Sequence, residues 1–241
     1  VVTCEHGGNS LPARYRSLIR PNAGILRTHR ALDPGALQLA RAIAAHFRAP
    51  LAASTTTRLL VDLNRSPDNP ELWSPFTAPL PAATRAAILR DHYRPFRRRA
   101  LRQIRSLLPT ASRPVLHLSV HTFTPVLRGV VRRADVGLLF DPRRPAEHRF
   151  CLAWQRRLRD AAPPRLRWNV RLNDPYRGDA DGHTTTLRRT FPPDRYLGIE
   201  LEVNQRLVRR GGRAWLRTIA AIVSSLDAAL AAFAPGAGRR R

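Results

Sequence analysis

Apolar residues fall along this chain in short runs divided by polar, turn-forming stretches, and the spacing within each run predicts an element. Residues 1–4 read as the end of a buried strand that delivers His6 into a Gly7-Gly8 turn. Leu37, Ala40, Ile43, Ala44 and Phe47 repeat on one face of a helix starting near Pro34, with Asp33 as its N-cap. Residues 59–63 form a second apolar run, read as a buried strand that ends in Asn64-Arg65. The Pro-, Asn- and Ser-rich segment 66–81 reads as a loop or lid. A basic amphipathic helix follows over residues 83–108, with an interruption expected near Pro95.

The second half repeats the alternation. Strands are expected at 114–121, at 135–140 (stopped by Asp141-Pro142), at 166–172 and at 196–203. Helices are expected at 146–161 and 213–233, and residues 173–183 read as a polar loop. The segment 235–241 reads as a disordered Arg-rich tail, leaving 1–234 as one catalytic domain. Strands alternating with helices predict an α/β fold, with a mainly parallel (mixed) sheet covered by helices on both faces.

Composition narrows the function. The 241 residues are 43% hydrophobic, enough for a sizeable core. Two cysteines, Cys4 and Cys151, are too few for a disulfide framework, so a reduced, cytoplasmic setting is the default. No signal-peptide pattern and no apolar run near 18 residues is evident, so no membrane association is expected. The net charge of +25 suggests nucleic acid at first sight. However, every basic residue is Arg, and with abundant Ala, Pro and Leu this resembles the coding bias of a GC-rich genome. The arginines are also spread along the chain and not interleaved with aromatics. A solvated basic surface with no specific nucleic-acid partner is the expectation, and nothing in the sequence speaks to oligomeric state.

The chemistry gathers at strand ends, where α/β sheets place their sites. His6 and His121 are the two candidate metal ligands. His117 precedes His121 by four strand residues, about 13 Å, so the two cannot share an ion. The third ligand is open between Asp33, near His6 if the helix start faces the strand ends, and Glu5. Glu200 and Glu202 share a strand face, and Glu202, nearer the carboxyl end, is favoured as general base. Asn64 and Arg65 form a candidate carboxylate clamp, with Asp62 placed to orient the arginine. Arg58 is a candidate for stabilising an oxyanion. Ser119, Ser10 and the buried Cys4 show no nucleophile–base pattern, so activated water is favoured over covalent catalysis.

Seven stretches taken together resemble the N-formylglutamate amidohydrolase family. They are Glu5-His6-Gly7-Gly8-Asn9 with Pro12, Asp33-Pro34-Gly35-Ala36, Asp62-Leu63-Asn64-Arg65-Ser66-Pro67, His121-Thr122-Phe123, Arg133-Ala134-Asp135-Val136-Gly137, Asn173-Asp174-Pro175-Tyr176, and Gly198-Ile199-Glu200-Leu201-Glu202. They run in order over almost the whole chain. The resemblance implies a zinc-peptidase-like (phosphorylase/hydrolase-like) fold related to zinc carboxypeptidases and aspartoacylase. It implies one zinc, or another divalent metal, on His6, Asp33 and His121, with Glu202 as base. It also implies a small acyl amino acid as substrate, bound by Asn64, Arg65, Asn173 and Tyr176. Two features depart from the pattern. A carboxypeptidase-type His-x-x-Glu would need Glu at Asn9, and the usual His-Ser-Gly turn is replaced by His6-Gly7-Gly8. The expectation is a divergent deformylase-like amidohydrolase acting on an N-acyl, N-formyl in the first instance, acidic amino acid. Two alternatives stand beside it, a zinc amidase on a peptidoglycan-type substrate and a non-enzymatic nucleic-acid-binding protein.

Overall fold

A six-stranded mixed sheet organises the chain in the computed structural model, which describes residues 1–163 and 167–233. The chain enters through β1 (Val2–Cys4), passes short helical turns that include α1 (Arg16–Ile19), and continues through α2 (Ala36–His46) into β2 (Leu51–Ala53). A long connection leads to α3 (Ala82–Ile88), a π-helical turn at Leu89–Tyr93, and α4 (Arg94–Leu107). Then follow β3 (Val115–Phe123), a small hairpin of β4 (Val126–Leu127) and β5 (Val130–Val131), β6 (Val136–Leu139), α5 (Pro145–Asp160) and β7 (Val170–Leu172). The last elements are α6 (His183–Thr190), β8 (Tyr196–Asn204), α7 (Gln205–Val208) and α8 (Gly212–Ala232).

The strand order is β2-β1-β3-β8-β6-β7. Every neighbouring pair is parallel except β8–β6, which is antiparallel. The two long strands, β3 and β8, pair along their whole length and fix the register that matters most: Ser119 opposite Glu200 and His121 opposite Glu202.

Side chains alternate across a strand, and here the two faces differ in kind. Leu118 and Val120 of β3, with Ile199, Leu201 and Val203 of β8, join the large apolar cluster formed by α2, α5 and α8. His117, Ser119 and His121 point the other way. Near the strands' amino ends this second face is closed by Ile104 of α4 and by Leu187 and Phe191, packed with Val115 and Tyr196. Higher up it carries buried polar groups. His117 sits there with Thr3 on Nε2 and Tyr196 on Nδ1, at 2.9 and 2.7 Å.

Several expectations need correction. Residues 59–63 are buried but do not form a strand: Leu60 N–H bonds the Thr57 carbonyl and Asp62 N–H the Leu72 carbonyl. An unalternating apolar run of that length reports burial without specifying the backbone. These residues pack as a buried turn against Leu72, Ile88, Tyr93 and Phe96. The strand that follows α2 is instead β2, which pairs with the outer side of β1. Asp33 is not a side-chain N-cap: α2 begins at Ala36 behind Gly35, with φ +82°, and has no side-chain cap. Its carboxylate is turned towards two histidines. The polar loop expected up to His183 ends in α6, which was not foreseen, because His-Thr-Thr-Thr is a poor helix opening by propensity. Helix α8 is, by length and composition, apolar enough to cross a membrane. Its apolar stripe, including Trp215, Ile222, Leu226 and Ala229, is packed into the main cluster. The expected start of the fifth strand at Leu166 and the tail 235–241 lie outside the described residues.

Candidate metal centre

The carboxyl ends of β1, β3 and β8 lie side by side, and His6, His121 and Glu202 come from them in that order. His6 follows β1 through a turn that needs glycine. A Cβ on Gly8 would lie 2.5 Å from the Thr55 carbonyl oxygen, and one on Gly7 2.8 Å from that of Ser54. The backbone N–H of Asp33 then donates to the His6 carbonyl at 2.9 Å, which ties the approach to α2 onto the end of β1.

Three side chains converge here. Oδ2 of Asp33 lies 2.9 Å from Nδ1 of His121 and 3.3 Å from Nδ1 of His6. All three residues are buried, and the three ligand atoms lie within 4.8 Å of one another. Tetrahedral bonds of about 2.0–2.1 Å would place ligand atoms about 3.3 Å apart, so the donor set fits a divalent ion such as zinc. The electrostatics also suit a cation. Burial opposes a charge on His121, yet the hydrogen bond and charge of Asp33, aided by Glu5 and Glu202, push its pKa up to about 10. Burial likewise opposes ionisation of Asp33, but His6 and His121 hold its carboxyl below the usual carboxylate range.

Each histidine is fixed from behind. Nε2 of His6 lies 2.7 Å from Oδ1 of Asp62. Asp62 was expected to orient Arg65, but its Oδ2 instead accepts from Nε and Nη2 of Arg58, at 3.2 and 2.6 Å. The remaining Arg58 nitrogen, Nη1, lies 3.6 Å from Oδ1 of Asp33. Nε2 of His121 lies 2.9 Å from Oγ of Ser119. Glu5, the other candidate third ligand, is fully buried, with its oxygens turned to Ser119 and His183. It is not in the cluster.

Glu202 borders the same cleft, of about 340 Å³, which His6, Asp33, Arg58, Asn64, Arg65, His121 and Tyr176 also line. Its Oε2 is buried and has no hydrogen-bond partner among the described residues. Burial, then the charges of Asp33 and Glu200 working against His121, raises its pKa to about 8. Glu200 turns its Oε1 to the Thr184 hydroxyl, which donates to it at 2.6 Å.

Asn64 accepts the His183 backbone N–H on Oδ1 at 2.8 Å, so its amide NH₂ is the group left for a ligand. Arg65 donates to the Asp181 carbonyl at 2.8 Å and meets Glu71 at 3.1 Å, while its Nε is buried without a partner among the described residues. Tyr176 lines the cleft with its hydroxyl bonded to Arg132 at 2.7 Å. Asn173 does not line it. Its Oδ1 accepts from Phe140 and Gly178 N–H, holding the loop that carries Tyr176, which corrects its expected place among substrate contacts. Ser119, His183 and Asp181 were missed as site residues. The signal for Ser119 was its period-two spacing with His121; His183 lies in an element that propensity did not reveal.

The α/β architecture with a buried His-Asp-His cluster at parallel strand ends defines a metal-assisted hydrolase. Residues 1–209 match the family model of N-formylglutamate amidohydrolase, and the chain belongs to that family. A solved structure of the gene product Atu2144 from Agrobacterium tumefaciens is similar at 30% identity and a TM-score of 0.79, over 98% of this chain and 91% of that one. The N-formylglutamate amidohydrolase from Ralstonia eutropha JMP134 shares the fold, at 18% identity and a TM-score of 0.68, over 95% of this chain and 93% of that one. No curated protein matches the chain.

Proposed function

We propose that this protein hydrolyses the amide bond of an N-acyl acidic amino acid, with N-formylglutamate as the leading substrate. The observation that carries the reading is the unpartnered, buried Oε2 of Glu202 in the cleft that also exposes the His6–Asp33–His121 cluster. A divalent ion on those three residues, zinc in the first instance, would polarise the acyl carbonyl and make water a nucleophile near neutral pH.

The chain's own groups supply the rest. Glu202 takes the proton of the attacking water and passes it to the leaving amine, a task suited to a carboxylate whose pKa is about 8. Arg58 keeps Asp62 ionised and offers Nη1, beside Asp33, towards an oxyanion. The amide NH₂ of Asn64 and the guanidinium of Arg65 receive the substrate carboxylate. The cleft volume lies at the small end for ligand sites, which favours a small acyl amino acid over a muropeptide.

Purified protein should carry close to one zinc per chain and release glutamate from N-formylglutamate, and a chelator should abolish this. Metal-free protein working at full rate would refute the mechanism. A preference for muropeptides would refute the substrate but keep the metal chemistry.

A further inference from the structure

One fully buried carboxylate, that of Glu5, takes no part in the chemistry just described. Its Oε2 accepts the Ser119 hydroxyl proton at 2.9 Å and its Oε1 faces Nδ1 of His183 at 2.8 Å. Ser119 and His121 share the polar face of β3, two residues apart, and Glu5 follows β1, the strand paired with β3 on that side. The direct separation between Glu5 Oε2 and His121 Nε2 is 3.5 Å, so the serine hydroxyl bridges them.

The donor and acceptor inventory then fixes the ring. A hydroxyl has one hydrogen, and a carboxylate can only accept. Ser119 gives its hydrogen to Glu5 and must therefore accept from Nε2 of His121. Without metal Nδ1 donates its own hydrogen to Asp33 at 2.9 Å; the Ser119 contact holds the other ring proton on Nε2, so Nδ1 is the nitrogen whose proton a metal ion would displace. On the other side of the cluster Asp62 does the same for His6 directly, at 2.7 Å. We propose that Glu5, acting through the Ser119 hydroxyl, is a positioning residue that sets the tautomer and orientation of His121 for metal binding. This rests on the reading of His6, Asp33 and His121 as a metal site. Groups that orient ligand histidines in this way commonly contribute about 10–100-fold to metal affinity.

The test is zinc affinity by chelator competition for wild type, Glu5→Gln and Ser119→Ala, together with nitrogen-15 NMR of the His121 ring in the zinc-loaded wild type. Both variants should bind zinc roughly 10–100-fold more weakly. The spectrum should place the His121 proton on Nε2. Folded variants that bind within twofold of wild type would overturn the proposal. So would a His121 ring protonated on Nδ1, and that measurement needs no variant to fold. Wild type that takes up no zinc would overturn the metal reading and this inference together, an outcome distinct from the other two.

Discussion

His121 and Glu202 are direct partners in the ladder between β3 and β8, so a candidate metal ligand and the candidate base sit side by side on one polar face. The parallel register, and not the sequence distance of 81 residues, makes them neighbours. Because Glu202 Oε2 has no partner among the described residues, replacing its carboxyl by an amide should break no hydrogen bond there while removing a proton acceptor. Glu202→Gln is expected to retain zinc and lose roughly 10²–10⁴-fold in kcat. Steady-state kinetics with metal analysis checks this; near wild-type turnover in a zinc-replete variant would remove Glu202 from the role.

The same carboxyl predicts a pH effect on the metal-free protein. Its folded pKa of about 8 lies above its ordinary value of 4.5, so it contributes stability that is full below 4.5 and lost as pH rises through 8. Metal-free wild type and Glu202→Gln should therefore differ least near pH 4, and the variant should gain on wild type towards pH 9. The gain is expected to be on the order of 2–5 kcal/mol. Denaturant melts of both proteins at the two pH values measure it, and parallel pH curves would contradict it.

The ligand set makes a sharper prediction. His6→Ala, His121→Ala and Asp33→Asn should each deplete zinc, since two ligands seldom hold it firmly. Glu5→Gln should only weaken it. Metal content after exhaustive dialysis separates the two behaviours. Full zinc in Asp33→Asn would mean that the third ligand lies elsewhere.

Arg65 should affect binding more than turnover. Arg65→Ala is expected to raise KM for an acidic acyl amino acid by roughly 10–100-fold, the size of a lost charge-assisted hydrogen bond. For an uncharged analogue it should change KM little. Equal effects on both substrates would show that Arg65 acts by holding Asp181 and Glu71, and not as a clamp.

Much of this site is written in local patterns. The alternation His117-x-Ser119-x-His121 and Glu200-x-Glu202 marks a strand face that is polar where its opposite is apolar, which is why those elements could be placed from the letters. Asp33 was legible only as a residue at a helix start. Its real partners lie 27 and 88 residues away, and no local propensity encodes them. Residues 59–63 misled because burial on all sides removes the alternation that distinguishes a strand. His183 was missed because it reaches Glu5 across 178 residues from a helix that packing, and not propensity, stabilises.

The loop over the cleft rests on a buried ion pair that the sequence did not announce. Arg188 donates from Nε to both oxygens of Glu147 at 3.1 Å, and Glu147 also accepts the Asp141 and Gly198 N–H groups. Both residues are buried, Glu147 completely. Another arm of Arg188 reaches the carbonyl of Gly178, two residues after Tyr176, at 2.6 Å. Arg188→Ala would leave Glu147 charged and uncompensated in the interior, a change that typically costs about 3–5 kcal/mol. Arg188→Met, which keeps volume but not charge, should be nearly as harmful, whereas Arg188→Met with Glu147→Gln should recover part of the loss. Denaturant unfolding of the three variants measures the cycle. If the double variant is no more stable than Arg188→Met, the cost lies in the lost bonds from Arg188 to the carbonyls of Gly178 and Gly198 and not in the orphaned carboxylate.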